Sequence, residues 1–532
     1  MTSILLIAGI LTSNLAAGQS DDLYQIPEAT DNGFLTAAPE DVGLDRKPLE
    51  ELTGLLRDDI FPNVHALLIQ KNGRLVYEEY FNGTDRRWSE AGEPIQVELQ
   101  FDRDTLHSTR SVGKSITSAL VGIAIAERRI ESVNQSVFDY FPEHSDKSTR
   151  AKQQITLQHL LTMSAGLEWN EDLPYTDPAN DEIQMDASDD PAGFVLSRPL
   201  VNEPGTTFNY GANAPTLLGY IVSRSSQQPF GDFAKSRLFD ALEMRDVEWG
   251  GCCDGWEAIP ELEWKSDKAW AKYTVPAGSL WMRPRDLLKF GSLYLNEGRW
   301  RDKQILTPDW VSSSLKPQIP TEELTLDHGT DAFSSGSYGY FWWHTQYELP
   351  YGDIIVHAAY GNGGQRIWVI PALDLLVVHM TGNYNRRGSG LQAERLLLEH
   401  IVPWAKGVDT DYQHSGGMPM RKLELGEWAM AEIDAQRYEG VWREGDSPIE
   451  ITNESGILHM KRPENRSWNL LPESDSVFAF GRIVNGVPER ILVPEYRLVF
   501  LSDEDSNFVN YEIRLVSEGL VHGVGKRAES SD

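Results

Sequence analysis

Behind Arg110 the apolar positions fall at Val112, Ile116, Ala119, Leu120, Ile123 and Ala124, the spacing of a helix whose body is apolar nearly all round. This predicts a helix buried in the middle of a domain. Upstream, 64–70 and 74–80 read as two strands joined by Lys71-Asn72-Gly73, a hairpin turn signal. Helical patterns then dominate to about residue 240, at 157–163 and 214–223 among others, and the stretch 277–295 continues as a second apolar helix. Between them 168–190 is acidic and loop-like, and it carries Trp169 and Tyr175. A polar loop of that length inside a domain is a candidate wall of a substrate cleft. β-like runs follow at 354–359, 366–370 and 375–381. Strands before and after a helical block predict an α/β fold, with an inserted all-helical lobe over about 105–300.

After Gly407 the register changes. Residues 408–427 are polar, include Gly416, Gly417 and Pro419, and read as a linker. Over 428–532 short alternating segments at 449–452, 457–460, 491–493, 498–500 and 511–516 are separated by turn signals. They predict a separate C-terminal β-barrel or sandwich. No titratable constellation stands out in it. Its expected role is packing or cleft shaping, with carbohydrate or peptide binding as the alternative.

Two polar residues on the buried helix carry chemistry. Ser111 stands in its first turn, and Lys114 follows three residues later on the same face. A serine hydroxyl is a poor nucleophile at neutral pH and needs a partner to take its proton. A lysine can do this if burial and its neighbours lower its pKa. The free N–H groups and positive dipole of a helix N-terminus also favour an oxyanion beside Ser111. Ser111 alone could equally be a helix N-cap. Lys114 weighs against that, because an ionisable group between Val112 and Ile116 is costly unless used.

Length and composition set the frame for this pair. A chain of 532 residues implies two or three domains, and 40% apolar with 24% charged residues is that of a soluble globular protein. A net charge of −32 argues against nucleic acid or an anionic membrane as partner. Residues 4–11 form an apolar run too short to span a bilayer, and Ala16 and Gly18 precede Gln19. This reads as a signal peptide over 1–18 and a secreted or periplasmic protein; the absence of basic residues before the run leaves a mis-set start or a plain N-terminal tail as alternatives. No other segment resembles a transmembrane helix. The only cysteines, Cys252 and Cys253, are adjacent. They can form a strained vicinal ring or stay thiols, but not an ordinary disulfide or a zinc site. No metal or cofactor is expected.

Partners for Ser111 and Lys114 come later in the chain. Tyr210 lies on a loop entering the next helix, after a Pro204-Gly205 turn. A phenol beside a cationic amine can share its proton, so either group can take the proton of the serine. Read alone, Tyr210 is an ordinary aromatic. Gly361-Asn362-Gly363-Gly364-Gln365 ends one β run and begins another. Glycine there lets backbone approach a ligand, and an N–H of this turn can complete an oxyanion hole with that of Ser111. Read alone, it is a tight strand connection.

Together, Ser-x-x-Lys at 111–114, Phe208-Asn209-Tyr210 with Leu217-Leu218-Gly219, and the 361–365 glycine turn resemble the penicillin-recognising serine hydrolases. This β-lactamase-related superfamily includes class C β-lactamases, D-Ala-D-Ala peptidases, esterases and 6-aminohexanoate-dimer hydrolases. The stretches 155–167 and 282–291 match as well, and the resemblance runs over about 40–400. It implies a β-lactamase-like antiparallel sheet flanked by helices over 19–407. The tail after 430 resembles the lipocalin-like β domain that some members append. By this resemblance Ser111 is the acylated nucleophile, Lys114 its base and Tyr210 the proton relay to the leaving group. The N–H groups of Ser111 and Asn362 form the oxyanion hole, while Gly361, Gly363, Asn213, Trp169 and Tyr175 line the substrate.

Two departures bear on the substrate. The second motif is usually Tyr-x-Asn, but Ala occupies position 212 and the asparagine is Asn213. The third often begins with Lys-Thr-Gly, and here it is Gly361-Asn362-Gly363, without the lysine that meets the carboxylate of a β-lactam or D-Ala-D-Ala. A small-molecule ester, amide or peptide-like substrate is therefore expected, with β-lactamase or D-Ala-D-Ala peptidase activity as the alternative. No Gly-x-Ser-x-Gly or His-Glu-x-x-His occurs, which disfavours an α/β-hydrolase or a metallohydrolase. His107, His159, His357 and His379 read as structural, with His107 near enough in sequence to touch the site. The rival from another class is a catalytically silent relative that binds peptide or sugar.

Overall fold

The computed structural model describes residues 24–30, 33–88, 94–173, 177–249, 276–278, 280–321, 336–347, 349, 351–385 and 389–408, and in the C-terminal part 437–527 apart from short inter-strand segments. The expected signal peptide (1–18), Tyr175, Cys252, Cys253 and all of the expected linker beyond residue 408 lie outside these. The chain divides into two compact units near Gly407.

In the first unit the elements that build the site are, in chain order, β1 (Val64–Lys71), β2 (Arg74–Tyr80), β3 (His107–Ser108), α1 (Val112–Ala126), α2 (Asp181–Ala187), α3 (Asn213–Ser226), β4 (Leu280–Met282), α4 (Pro284–Leu295), β5 (Trp343–Tyr347), β6 (Ile354–Gly361), β7 (Gln365–Ile370) and β8 (Leu375–Thr381). The β1–β2 hairpin turns through Asn72 and Gly73, both at positive φ (51° and 71°), as a tight two-residue turn requires. On its other edge β1 pairs with β8, and the antiparallel ladder continues through β7, β6 and β5. Every residue of β1, β7 and β8 is buried, which is why these strands read as apolar runs and not as alternating ones. A two-residue strand, Leu35–Thr36, runs parallel to β2 and makes the sheet mixed.

Helix α4 packs on this sheet, and Gly291 lets it come close: a Cβ there would stand 2.6 Å from Leu376 and 2.9 Å from Ile367. The chain at 277–295 is not one helix, as its apolar pattern suggests. Residues 280–282 form β4, which pairs with β3, and α4 begins only at Pro284, a residue suited to a first helical turn. The 168–190 stretch also departs from a plain loop. It ends in α2, capped by the Asn180 side chain, which accepts from the N–H groups of Glu182 and Ile183. A further antiparallel pair, Asn82–Trp88 with Pro94–Gln100, escapes the sequence reading: the first strand is polar, although Ile95, Val97 and Leu99 alternate with polar residues along the second.

Helix α1 is buried from Val112 through Ala124. Two of its polar residues are satisfied by crossing chain segments: Ser115 Oγ donates to the Phe341 carbonyl at 2.6 Å and Thr117 Oγ1 to that of Pro276 at 2.6 Å. The Trp310 indole covers Gly122, where a Cβ would lie 2.5 Å from the ring.

The second unit curls into an antiparallel barrel. Eight strands form the ring, closed by pairing of Arg466–Pro472 with Val477–Val484 and of Gly440–Glu444 with Val521–Arg527. Strand Val487–Ile491 adds to it at Val477–Val484. Tyr438, Trp442, Phe478, Phe500, Phe508 and Tyr511 fill its core. The Trp442 indole N–H donates to the Tyr438 carbonyl at 3.0 Å, so the buried polar end is paired.

Behind α1, the rings of His65, Phe101 and His107 stack in series, with centroids 3.7 and 4.6 Å apart. Burial pushes the His65 imidazole down to about 3 and that of His107 well below its usual 6.5. Neither ring nitrogen of His107 has a hydrogen-bond partner. A base whose folded pKa is depressed contributes stability above its unfolded pKa and loses it as pH falls. Replacing His107 with Phe should therefore favour the variant increasingly below about pH 6.5, by about 1.4 kcal/mol per pH unit relative to wild type. Urea unfolding of both proteins from pH 7 to pH 4 measures this, and a pH-independent difference would refute it.

Candidate active site

Ser111 is the residue from which α1 springs. Its backbone is already helical (φ −62°, ψ −7°) and its hydroxyl caps no backbone N–H, so it does not act as an ordinary N-cap. Instead Lys114 Nζ donates to Ser111 Oγ at 3.0 Å. Arg110, directly before it, is held at φ +50°, an uncommon conformation for a long side chain and one that clusters at functional sites.

Lys114 is only 4% exposed. Its Nζ lies 4.7 Å from the centroid of the Tyr210 ring, on the loop entering α3. Burial is the largest single influence and pushes the ammonium down, but Tyr210, Glu171 and Glu182 together outweigh it and hold Lys114 above the usual 10.5. This reverses the lowered pKa expected from an apolar helix face. Tyr210 contributes most to the reversal, and the 168–190 insertion adds its two carboxylates. Glu182 stands buried in the first turn of α2. Glu171 Oε2 accepts from the Trp169 indole N–H at 2.9 Å and from the Ala212 N–H at 2.7 Å. It thereby ties the chain just past Tyr210 to the insertion.

The glycine turn closes the other side. A Cβ on Gly361 would stand 2.5 Å from the Thr109 carbonyl oxygen and 3.2 Å from Arg110 Cβ, so only glycine lets β6 end against the backbone leading to Ser111. Gly363 and Gly364 follow at φ +88° and +95°. Arg366 Nη1 donates to the Gly361 carbonyl at 3.2 Å. Asn362 and Asn385 clasp each other: Asn362 Nδ2 donates to Asn385 Oδ1 at 2.6 Å, and the Asn385 backbone N–H donates to Asn362 Oδ1 at 2.7 Å.

The structure thus brings Ser111, Lys114 and Tyr210 together and sets Gly361 against the chain leading to Ser111. Trp169 is buried with its N–H engaged by Glu171, behind the Tyr210 loop. Asn213 is buried as well, its Oδ1 accepting the Ala214 N–H at 2.7 Å. His107 lies in the stacked column and has no polar contact to the serine. Sequence reasoning missed Glu171 and Glu182, read only as part of a polar wall. It also missed Trp343, whose ring stacks between those of Tyr210 (5.8 Å, 27°) and Tyr360 (5.7 Å, 22°). The Trp342-Trp343 pair was the available signal. Among the described residues no group of three or more His, Cys, Asp or Glu is placed to hold a metal, and no helix is long and apolar enough to cross a membrane.

A buried helix opening on Ser-x-x-Lys, set on a mixed sheet with a helical lobe, is the architecture of the β-lactamase-like fold, whose family members are serine hydrolases. The chain matches the Beta-lactamase family model over residues 62–400 and belongs to that family. It is 27% identical over 312 residues to a 6-aminohexanoate-dimer hydrolase of Paenarthrobacter ureafaciens, covering 56% of this chain and 72% of that one. A provisionally named D-alanyl-D-alanine carboxypeptidase of Salmonella schwarzengrund is 21% identical over 221 residues, 40% of this chain and 49% of that relative. Among solved structures, a penicillin-binding protein homologue from Caulobacter crescentus superposes with a TM-score of 0.49 at 15% identity, covering 67% of this chain and 97% of that one.

The carboxylates that help hold Lys114 protonated are those of Glu171 and Glu182. Glu171→Gln keeps an oxygen for the Ala212 N–H but removes one negative charge, so the lysine should lose its proton at lower pH. The rate at which a fluorophosphonate modifies Ser111, followed by intact mass, should rise with pH toward alkaline values in wild type. In Glu171→Gln the rise should shift to lower pH. An unmoved profile would show that Glu171 does not bear on the charge of Lys114.

Proposed function

We propose that this protein hydrolyses an ester or amide through an acyl-enzyme on Ser111. The observation that carries the proposal is the 3.0 Å hydrogen bond from a buried lysine to a serine hydroxyl that caps nothing. Ser111 Oγ attacks the substrate carbonyl, and its proton passes to Lys114 in the neutral form. Tyr210 relays the proton to the leaving group as the tetrahedral intermediate collapses. The N–H groups of Ser111 and Asn362 hold the oxyanion. Water then attacks the acyl-enzyme by the reverse proton path. The name of the relative from Paenarthrobacter ureafaciens supports an amide among the substrates, and the missing lysine in the 361–363 turn favours substrates without a carboxylate at that point. An export signal over 1–18 would place this activity outside the cytoplasm.

The test is fluorophosphonate labelling of wild type, Ser111→Ala and Lys114→Ala, read by intact mass. The expected result is one adduct on wild type, none on Ser111→Ala, and labelling slowed at least about a hundredfold in Lys114→Ala, the scale of a lost general base. Esters and amides are then screened ahead of β-lactams. A folded wild type that takes no label would favour the silent binding relative, and an adduct surviving Ser111→Ala would place the nucleophile elsewhere.

A further inference from the structure

The segment after β8, Asn383 to Asn385, touches both halves of the proposed oxyanion hole. On the nucleophile side the Tyr384 ring lies beneath the Arg110 guanidinium, with Cζ 4.2 Å from the ring centroid. Arg110 is the strained residue whose backbone delivers Ser111 to the start of α1. On the turn side a Cβ on Gly363 would meet the Tyr384 nitrogen at 2.9 Å, and Asn385 makes its reciprocal pair with Asn362. The segment is itself anchored. Asn383 Nδ2 donates to the Pro62 carbonyl at 2.7 Å, and Thr381 Oγ1 donates to the Gly363 carbonyl. Beneath Tyr384 lies Asp85, fully buried, with Arg87 Nε 2.8 Å from its carboxylate. Arg87 in turn reaches the chain entering β3: Nη2 donates to the Leu106 carbonyl at 2.9 Å, and the guanidinium covers the Trp281 ring at 4.5 Å.

We infer that Asn385 and Tyr384 are positioning residues for the oxyanion hole: Asn385 fixes the orientation of Asn362, while Tyr384 holds the Arg110–Ser111 link at a set distance from the same turn. This rests on the acyl-enzyme proposal above and adds to it what sets the geometry. An oxyanion hole acts only if its donors are preorganised around the position the oxygen takes in the transition state, and small misplacements are costly. Here the two donors come from chain segments some 250 residues apart. The 383–385 segment is a single piece of chain that contacts both.

The prediction is kinetic coupling. Asn385→Ala removes the acceptor of the Asn362 amide, and Asn362→Ala removes the other side of the pair while leaving the backbone N–H of residue 362 in place. Each should slow the maximal rate of Ser111 phosphonylation about tenfold, a fraction of the loss seen when a whole oxyanion donor is removed. Half-saturating probe concentration should change less than twofold, and the pH profile should not move, because Lys114 and Tyr210 are untouched. Asn385→Ala removes one bond of the pair and Asn362→Ala removes both, so the double variant should be about as slow as Asn362→Ala alone. Asn385 is exposed, and thermal melting confirms that each variant is folded. Wild-type rates in Asn385→Ala, or losses that multiply in the double variant, would overturn the inference while leaving the hydrolase proposal intact. Absence of label on wild type would instead remove the hydrolase proposal and this inference with it.

Discussion

The site depends on keeping one ammonium group inside an apolar helix. Lys114 lies between Val112 and Ile116, and burial disfavours its charge more strongly than any other influence acts on it. The fold does not respond by leaving the lysine neutral. It brings Tyr210 from the loop before α3 and Glu171 and Glu182 from the polar insertion, groups from two parts of the lobe, to act on one ammonium. A helix whose one charged group within its buried span is Lys114 thus recruits much of the lobe's architecture. The insertion exists in its observed form, folded inward and capped into α2, because its carboxylates have a buried counter-charge to meet.

The same constraint organises the opposite wall. Once α1 is fixed against the sheet, its first residue must meet the β6–β7 turn without a side chain between them. Gly361 allows contact with the Thr109 carbonyl, and Gly113 and Gly278 do the same where the first turn of α1 meets 276–278: a Cβ on Gly113 would lie 3.0 Å from Gly278 Cα. These glycines are not hinges. They set how near three backbones come to one hydroxyl, and their role is closeness of approach.

Much of this is legible in the sequence for physical reasons. The helical spacing after Arg110 announces α1, and the turn chemistry of Asn72-Gly73 announces the β1–β2 hairpin, because a two-residue turn needs both positions at positive φ. The central strands are legible as apolar runs because the sheet buries them on both faces. What is not legible has equally specific causes. Strand β4 hides inside an apolar stretch that continues into α4, since periodicity cannot separate a three-residue strand from the helix that follows Pro284. The strand pair 82–88 with 94–100 hides because its first strand is polar and gives the alternating Ile95, Val97 and Leu99 of the second no apolar partner in sequence. Glu171 and Glu182 hide because an acidic segment reads as a solvated face, and no local pattern says that it folds over a buried lysine 60 residues away. Trp343 and Asn385 hide for a related reason: each acts through a partner from another strand or turn.

Charge balance around Ser111 bears on the proposed substrate. Lys114 is already countered by Glu171, Glu182 and Tyr210. Arg110 is turned onto the Tyr384 ring, and Arg366 is spent on the Gly361 carbonyl, the Tyr360 face and Glu394, 3.7 Å away. The cations described next to the serine are thus each engaged in holding the site together. A substrate carboxylate would have to take one of them from its present partner, in a chain that already carries 32 excess negative charges. An uncharged ester or amide flank needs none of them. The structural use of these cations therefore works in the same direction as the missing lysine of the 361–363 turn. Both make the proposed preference a property of how the site is built, and not of one absent residue.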